Sequence, residues 1–489
     1  METAANSNGL KRVVIDPVTR VEGHGKVTLL VDEHNQIQQA RLHIVEFRGF
    51  ERFIQGRPYW ELPMVVQRLC GICPVSHHLA AGKAIDMLVG AQKLTPTADK
   101  IRRLSHYGQV LQSHALHFFH LSSPDLIFGF KSDKAQRNVV NLLEQHTDIA
   151  LKGVKLRKFG QQIIEAVAGK RIHGSIVVPG GVNRSLEPEQ VRCFQQQMDA
   201  VLNWSKEALD LARTLYLSDR EHADFGAIES PTLSLTGPEG EFELYDGQLR
   251  VKDEEGAILL DQIDNSAYGD HILEEVKSWS YMKFPFLKSL GKEQGWYRVG
   301  PLARVLNCHD MGYPLSEAAR QELVDQCYPD NQQSALLYHW ARMIELLYCS
   351  EAIGALLKDP DLTGADRIVT PGQRNPECYG IIEAPRGTLI HHYHINEQDI
   401  VEKANLIVST TSNNQAMNEA VRSVCRQYLN GNPLSEGLLN HVEIAIRAYD
   451  PCLSCATHAL GKMPLTVEMV TADGKLLGTI SRSSQGASL

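Results

Sequence analysis

RLCGICPVSHH, at residues 68–78, holds the first of two CxxC pairs, and DPCLSCATH, at residues 450–458, holds the second. Pro74 opens a helical pattern directly after the first pair, and Asp450-Pro451 ends one directly before the second. Free N–H groups at a helix N-terminus favour the thiolate form of cysteine, which is the form that binds metal. Four converging thiolates would form a soft site, suited to zinc, an iron–sulfur cluster, Cu(I) or nickel.

The spacing of the two pairs leaves more than one kind of site open. A structural zinc site with four cysteines fits the residue types. A zinc ribbon, however, usually joins its two CxxC pairs by about 15–20 residues, whereas Cys70 and Cys452 are 382 positions apart. A thioredoxin-type redox pair fits poorly, because there are two pairs and no βαβ pattern surrounds either. The separation indicates a site that ties together the two ends of a large domain.

The composition is that of a globular protein, with 489 residues, 43% hydrophobic and 22% charged. The net charge of −9 argues against a broad nucleic-acid surface. No stretch reaches the roughly 18 apolar residues of a membrane span, and the start METAANSNGLKRVVIDP lacks the apolar core of a signal peptide. We therefore expect a cytoplasmic protein without a membrane span or a nucleic-acid partner. Six cysteines outside the pairs are expected to be buried core residues: Cys193, Cys308, Cys327, Cys349, Cys378 and Cys425.

Hydrophobic periodicity predicts a mainly α-helical chain with small β elements, an α+β fold. The predicted fold has a core of long helices and β hairpins near both termini. Helical patterns cover 74–91, 99–121, 135–168, 187–217, 333–358 and 435–449. Strand patterns cover 26–33, 36–44, 377–395 and the tail from 464, and the polar stretch 235–256 predicts a small hairpin.

Several further strings resemble those of nickel–iron hydrogenase large subunits and fall in that family's order. They are DPVTRVEGHGKV (16–27), FRGFE (47–51), SHALHFFHL (113–121), EAPRG (383–387) and VSTTSNN (408–414). The ATH ending of the second cysteine motif and the overall length resemble the cytoplasmic NAD-reducing, bidirectional group most closely. The resemblance implies the large-subunit fold and an enzyme that cleaves H2 reversibly into protons and electrons.

The resemblance also implies the cofactors and the partners. Cys73 and Cys455 would bridge nickel and iron, Cys70 and Cys452 would be terminal ligands of nickel, and the iron would carry CO and cyanide. The chain has no dinucleotide-binding motif and no further cysteine cluster, so we expect no Fe–S cluster or flavin in it. Electrons must then leave through partners: a small iron–sulfur subunit and a flavin-containing diaphorase module that reduces NAD.

Matching positions supply the remaining site residues. Glu22 matches a proton-gate glutamate, and a carboxylate near a dry metal site can be tuned to shuttle protons. Arg386 matches an arginine above the open coordination position, and Pro385 and Asp450 match its neighbours, Asp450 as a partner of Arg386. Thr410, with Ser409 as the alternative, matches a hydroxyl that hydrogen-bonds a cyanide. The sequence departs from the family at Ser113, where many members carry aspartate.

Three further groups of residues invite an interpretation as metal ligands or their neighbours. Glu51 and His458 match ligands of a magnesium-type ion near the C-terminus. His77, on the helix after Cys73, could donate a hydrogen bond to a cysteine sulfur. The run HHYH at 391–394 is interpreted as alternating strand residues or surface imidazoles.

The same family matches predict a domain boundary at the second cysteine motif. Residues 1–458 would form a single catalytic domain, and a maturation protease would remove 459–489. The alternative interpretation is a zinc-stapled structural protein related to the quinone-site subunit of respiratory complex I, which shares the fold but lacks the full set of nickel ligands.

Overall fold

The computed structural model describes residues 10–327, 333–458, 465–470, 476–483 and 486–488. Within them the α-helices are Phe50–Ile54, Leu62–Val65, Pro74–Leu88, Pro96–Leu116, Ser123–Phe128, Val139–Gln145, Thr147–Ala168, Pro188–Gln195, Met198–Leu217, Glu221–Asp224, Tyr268–His271, Gly291–Gln294, Pro301–Asn307, Pro314–Cys327, Leu337–Leu356, Ser409–Ser412, Asn414–Val424 and Glu436–Ala448. Short 3₁₀ turns are Tyr59–Glu61, Val66–Leu69, Asn265–Ala267, Pro360–Thr363 and Ser454–Ala456, and π-helical turns are His117–Ser122 and Cys425–Leu429.

The strands form small antiparallel sheets around these helices. They are Lys11–Ile15, Gly25–Val31, Ile37–Ile44, Val177–Val178, Gly181–Val182, Thr232–Thr236, Gln248–Lys252, Ile258–Ile263, Ile272–Glu275, Phe284–Leu287, Glu377–Ala384, Gly387–Ile395, Val401–Ile407, Leu465–Val470, Leu476–Ser483 and Gly486–Ser488.

The core consists of long helices packed side by side. Pro96–Leu116 packs against both Thr147–Ala168 and Leu337–Leu356, and the last of these also packs against Met198–Leu217. Leu337–Leu356 is buried along nearly its whole length, which its apolar sequence requires. A Cβ atom on Gly160 would lie 2.5 Å from a backbone oxygen of the facing helix, so glycine permits this close approach.

A three-stranded sheet places the first cysteine pair. The helix Pro74–Leu88 packs against the strands Glu377–Ala384 and Gly387–Ile395, and these two strands pair antiparallel up to Ala384 and Gly387. The tight turn at Pro385-Arg386 therefore lies beside the start of the helix. Cys70 and Cys73 precede that helix, so the sheet brings the EAPRG motif to the first CxxC pair.

The predicted fold class is confirmed, and the differences are local. The expected helix over 135–168 is interrupted at His146, and a new helix begins at Thr147. The carboxylate of Asp148 in its first turn interacts favourably with the positive end of the helix dipole. The hairpin predicted in 235–256 belongs to a three-stranded sheet. Cys193 is exposed rather than buried, because it lies on the polar face of the amphipathic helix Pro188–Gln195.

The structure also tests the expected burial of the other isolated cysteines and the strands predicted in the tail. Four of the five isolated cysteines whose side chains are described are buried as predicted: Cys308, Cys349, Cys378 and Cys425. The side chain of Cys327 lies outside the described part, as do residues 471–475 of the tail. The tail strands themselves are present at Leu465–Val470 and Leu476–Ser483. No helix in the described part of the chain has the length and apolar character that crossing a membrane requires.

Candidate metal centre

The first cysteine pair is positioned by its own segment. A 3₁₀ turn ends at Leu69, and Cys70 adopts an extended conformation. The backbone N–H groups of Ile72 and Cys73 both donate to Cys70 Sγ, each at 3.2 Å. Pro74 then occupies the first turn of the next helix, where its missing N–H costs nothing. The loop therefore aims the Cys70 sulfur by contacts within three residues.

The second pair is positioned by distant segments. The helix Glu436–Ala448 ends just before Asp450, which has a left-handed conformation (φ 53°). Cys452 N–H donates to Thr410 Oγ1 at 2.9 Å, and Leu453 N–H donates to the carbonyl of Glu22 at 2.9 Å. A 3₁₀ turn over Ser454–Ala456 then turns Cys455 back towards Cys452.

The four sulfur atoms converge. Cys452 Sγ lies 3.2 Å from Cys70 Sγ and 2.7 Å from Cys455 Sγ, and all four sulfurs lie within 4.8 Å of one another. All four side chains are buried, and none forms a disulfide. In the described part of the chain this is the one group of three or more His, Cys, Asp or Glu side chains close enough to share a metal ion. Four buried sulfurs at this spacing fit a soft metal centre.

The protonation of the cluster depends on a cation. Burial raises the pKa of Cys452 and of Cys455 well above the ordinary thiol value, because buried charge is unfavourable. Hydrogen bonds from the neighbouring thiols, with a smaller contribution from His77, lower the pKa of Cys73 instead. Of these three thiols, Cys73 loses its proton most readily, and positive metal charge among the sulfurs would favour deprotonation of Cys452 and Cys455.

Glu22 lies at the edge of this cluster. Its Oε2 accepts hydrogen bonds from Cys452 Sγ at 3.0 Å and from Ser454 N–H at 3.1 Å. Its half-buried side chain therefore connects the sulfurs to less buried surroundings. Gly23 permits this approach, because a Cβ there would lie 2.7 Å from the backbone nitrogen of Ser454 and its φ is +81°.

Arg386 and Asp450 form a buried pair beside the sulfurs. Arg386 Nε donates to the Asp450 carbonyl at 2.6 Å, and one terminal nitrogen donates to Asp450 Oδ1 at 3.0 Å. Although burial disfavours its charge, Asp450 and the cysteine sulfurs outweigh this effect and raise the pKa of Arg386. Its other terminal nitrogen is buried and has no hydrogen-bond partner among the described residues. That nitrogen can donate to a ligand held at the cluster.

The other predicted neighbours of the cluster differ in whether their polar groups already make hydrogen bonds within the protein. Thr410 Oγ1 accepts from Cys452 N–H, so its own hydroxyl proton can still be donated. Ser409 Oγ already donates to the Gly387 carbonyl at 2.6 Å, which makes Thr410 the better placed of the two. Pro385 lies in the turn that holds Arg386, and its carbonyl accepts from Arg304 at 3.2 Å.

His77 belongs to a buried chain of rings that the sequence interpretation missed. His77 Nδ1 lies 3.1 Å from His391 Nε2, and His391 Nδ1 lies 2.6 Å from Tyr393 Oη. The HHYH run does alternate along its strand, but His391 points inwards and is not a surface imidazole. Its alternation with Tyr393 was visible in the sequence, whereas the facing His77 was not.

Arg304 and its carboxylates were also missed. Arg304 forms two hydrogen bonds of 2.6 Å with Glu345 and one of 2.8 Å with Glu383, and it donates to the Ala384 carbonyl at 2.9 Å. This fully buried network fixes the turn that carries Arg386. Glu383 begins the EAPRG string, which was the one available sequence signal for this network.

Ser113, where many family members carry aspartate, is buried, and its hydroxyl has no hydrogen-bond partner among the described residues.

Glu51 and His458 lie near the C-terminal side of the site. Glu51 Oε1 accepts from Lys283 Nζ at 3.0 Å and from Leu406 N–H at 2.9 Å. His458 is buried, and neither of its ring nitrogens has a hydrogen-bond partner among the described residues. Burial lowers the pKa of His458 to about 3, so the imidazole is neutral. The magnesium ligation expected for this pair stays a prediction.

Two family models match the chain. A model described as nickel-dependent hydrogenase matches residues 48–150 and 243–458. A model described as HoxL-like matches residues 12–47. Together they include the four cysteines of the cluster, Glu22, and the pair formed by Arg386 and Asp450.

Curated and solved relatives agree with these models. The NAD-reducing hydrogenase HoxS subunit beta of Cupriavidus necator is 45% identical, with 96% of this chain and 100% of that protein covered. A chain of the F420-non-reducing hydrogenase of Methanothermobacter thermautotrophicus is 38% identical, with 96% and 100% covered. A crystal structure of an NAD+-reducing [NiFe]-hydrogenase in the H2-reduced state superposes with a TM-score of 0.89 at 54% identity, covering 91% of this chain and 99% of that one.

Proposed function

This chain belongs to the nickel-dependent hydrogenase family, and we propose that it passes the electrons of H2 through an iron–sulfur partner to NAD. It is the catalytic subunit of a hydrogenase, an enzyme that cleaves H2 reversibly. The observation that carries the hydrogenase assignment is the convergence of four buried sulfurs from two motifs far apart in the chain. The NAD acceptor is supported by the similarity to the NAD-reducing hydrogenases. An NAD acceptor implies a cytoplasmic protein.

We assign the four cysteines as the ligands of the nickel–iron pair. Cys73 and Cys455 would bridge the two metals, and Cys70 and Cys452 would be terminal on nickel. When bound, the metal pair supplies the heterolytic cleavage of H2. CO and cyanide on the iron belong to the same proposal, supported by the unpartnered nitrogen of Arg386 and the free hydroxyl proton of Thr410, both able to donate to cyanide.

The protein's own part in the reaction is proton transfer and orientation. Glu22 Oε2 lies 3.0 Å from Cys452 Sγ, so a proton on that sulfur can pass to the carboxylate. Asp450 orients the guanidinium of Arg386, whose positive charge lies beside the cluster where burial excludes water. A charge preorganised in a dry site stabilises developing negative charge more than it would in water.

Metal analysis and infrared spectroscopy test the proposal together. The purified complex should contain one nickel and one iron for each copy of this chain beyond the partner's clusters. Active enzyme should show CO and cyanide stretches, which no protein group gives in that spectral window. Zinc without nickel, and no such bands, would instead support the zinc-stapled alternative, which the comparisons do not favour.

Exposed apolar side chains support a partner surface near the first cysteine pair. Trp60 is 56% exposed and Phe53 is 50% exposed, in the segment that leads directly to Cys70. Large exposed apolar side chains gathered in one segment are typical of protein interfaces. We propose that this segment contacts the small iron–sulfur subunit, because electrons must leave the buried centre through a neighbouring protein. The diaphorase module would attach through that subunit.

Co-purification tests this partner surface. Trp60→Asp should release the iron–sulfur subunit from the affinity-tagged chain, because it places a charge in an apolar interface. Ile368→Asp is the matched control, since Ile368 is equally exposed at 55% but lies elsewhere in the chain. Equal retention of the small subunit by both variants would exclude the segment around Trp60 as the contact.

We also propose that maturation removes residues 459–489. In support, the nickel-dependent hydrogenase model ends at residue 458, and Thr457 and His458 are buried against the core. The carbonyl of Thr457 accepts from Gly49 N–H at 3.2 Å. A cut after His458 would let this end close over the metals. The intact mass of active large subunit should correspond to a chain ending at His458. A nickel-loaded, active chain that still carries Leu489 would refute the cleavage.

A further inference from the structure

A lysine amine occupies the position beside Glu51. Lys283 lies directly before the strand Phe284–Leu287, and its side chain is only 13% exposed. Its Nζ lies 3.0 Å from Glu51 Oε1, 3.2 Å from Glu274 Oε2 and 3.0 Å from Asn405 Oδ1. Three oxygen acceptors from three separate elements therefore meet the three protons of one ammonium group.

The geometry around Glu51 does not fit a magnesium ion. Mg²⁺ requires near-octahedral oxygen ligation and keeps several waters. Glu51 Oε1 already accepts from Lys283 and from Leu406 N–H. Within the described residues, no group of three or more His, Cys, Asp or Glu side chains that could hold a metal ion includes Glu51 or His458. A divalent cation would also have to coexist with the positive charge of Lys283.

The charge of Lys283 is secure. Burial disfavours an ammonium, but the carboxylates of Glu274 and Glu51 outweigh this effect and raise the pKa of Lys283 above its ordinary value. The three oxygen acceptors around Nζ also match the three protons of an ammonium group. The ammonium supplies a positive charge where the resemblance led us to expect a metal ion.

We propose that the Lys283 ammonium takes the place of the divalent cation at Glu51. Glu51 lies in the helix Phe50–Ile54, and the residues just before this helix hold the second cysteine motif. Gly49 N–H donates to the Thr457 carbonyl at 3.2 Å, and Arg48 N–H donates to Thr457 Oγ1 at 3.2 Å. Lys283 thus fixes the platform on which Thr457 and the adjacent His458 rest, without a dissociable ion.

Metal analysis of the wild-type holoenzyme tests whether a divalent cation is bound at Glu51. The complex is incubated with EDTA, exchanged into metal-free buffer, and analysed for nickel, iron, magnesium, calcium and manganese. We expect nickel and iron but no stoichiometric magnesium, calcium or manganese, and a thermal midpoint that EDTA does not change. Stoichiometric magnesium that survives EDTA, or a midpoint that falls with EDTA and recovers with Mg²⁺, would overturn the proposal. The nickel value in the same sample reports separately on the hydrogenase assignment.

A variant gives a second, independent measurement. Lys283→Ala leaves the carboxylates of Glu51 and Glu274 together without a cation, so the midpoint should fall by roughly 3–6 °C. Added Mg²⁺ should restore part of the loss. Lys152→Met is the control, because Lys152 pairs with Glu207 at 2.6 Å on the surface, and exposed pairs contribute little. An unchanged midpoint for Lys283→Ala would contradict the role of Lys283, and the wild-type metal analysis applies even if this variant does not fold.

Discussion

The two CxxC pairs present identical spacing but are held in different ways. Around Cys70 the hydrogen bonds to the sulfur come from Ile72 and Cys73, two and three residues away. At Cys452 the partners are distant: its backbone N–H donates to Thr410 Oγ1, 42 positions away, and its sulfur donates to Glu22 Oε2, 430 positions away. The Cys70 sulfur is thus oriented by its own loop and helix start, although Gln109 and Gln112 of a distant helix also donate to the Ile72 carbonyl. The second pair depends on distant segments throughout.

This difference has a consequence for assembly. A loop fixed by local hydrogen bonds and a helix N-terminus can form early, because closing a short loop costs little entropy. The second pair reaches its position only when the segments carrying Glu22, Thr410 and Arg386 are in place. The first pair is thus available to receive metal while the second is still to dock, which agrees with a maturation cut placed just after the second motif.

Loss of one sulfur from either pair should have the largest effect. Cys73→Ser and Cys455→Ser each remove a thiolate from a buried cluster whose sulfurs lie within 4.8 Å of one another. Serine is a hard donor and a poor replacement for a soft ligand. We expect no assembled nickel–iron centre and no activity in either variant, measured by metal content and infrared bands.

The control for these variants is Cys425→Ser, which alters a buried cysteine outside the cluster. It should retain nickel and the infrared bands. If Cys73→Ser retained a full nickel–iron centre while Cys455→Ser lost it, the two pairs would differ in their ligand roles as well as in their supports.

Glu22→Gln tests the longest-range support of the second pair. Glutamine keeps the shape and the hydrogen bond to Ser454 but cannot take a proton from Cys452. The metals should still assemble, whereas turnover and hydrogen–deuterium exchange with solvent should fall by about 10²-fold or more, the usual size of a general-base contribution. The exposed Glu33 provides the control variant, Glu33→Gln.

Full hydrogen–deuterium exchange in Glu22→Gln would show that the glutamate supports the second pair without carrying protons. Loss of nickel in the same variant would show that the contact of Glu22 with Cys452 is needed for assembly of the metal centre. The two measurements therefore separate the positional role of Glu22 from its chemical role.

Arg386→Lys should have a smaller effect, because the positive charge is kept. The guanidinium makes two hydrogen bonds to Asp450 and presents a third nitrogen without a protein partner among the described residues. Lysine cannot reproduce this planar arrangement. Loss of one charge-assisted hydrogen bond, about 1.5–3 kcal/mol, corresponds to roughly 10–100-fold in hydrogen oxidation.

Arg320→Lys is the matched control, since Arg320 pairs with Glu317 away from the sulfurs. Hydrogen oxidation by Arg386→Lys at the level of this control would mean that only positive charge matters beside the cluster. The planar guanidinium would then contribute nothing to the second pair beyond its charge.

The same contrast explains what the sequence could predict. Helix periodicity, the strand patterns and the helix start at Pro74 depend on neighbouring residues. They predicted most elements correctly, although the helices expected over 135–168 and 187–217 are each divided in two. The strand alternation of the HHYH run was predicted, but the contact of His391 with His77 was not. His77 lies 314 positions away, and no local pattern indicates which strand residue faces which helix. Arg304 was missed for the same reason, although its partner Glu383 belongs to the EAPRG string. Lys283 stood outside every string that resembled the family.

The smallest expected effect concerns the distant contact that reaches the first pair through His77. Tyr393 Oη lies 2.6 Å from His391 Nδ1, and His391 in turn holds His77, one helical turn after Cys73. Tyr393→Phe removes the hydroxyl and leaves the ring orientation of His391 less defined, which should loosen His77 beside the sulfur. Because Tyr393 acts through two other rings, activity should fall by less than the roughly tenfold that a partner attached directly to a ligand costs. The CO and cyanide bands should nevertheless shift by a few wavenumbers. Tyr245→Phe, whose hydroxyl accepts from Arg102 instead of meeting a histidine, should leave them in place. Identical spectra for both variants would mean that the contact of Tyr393 with His391 does not influence the first pair, which would sharpen the contrast between the two pairs.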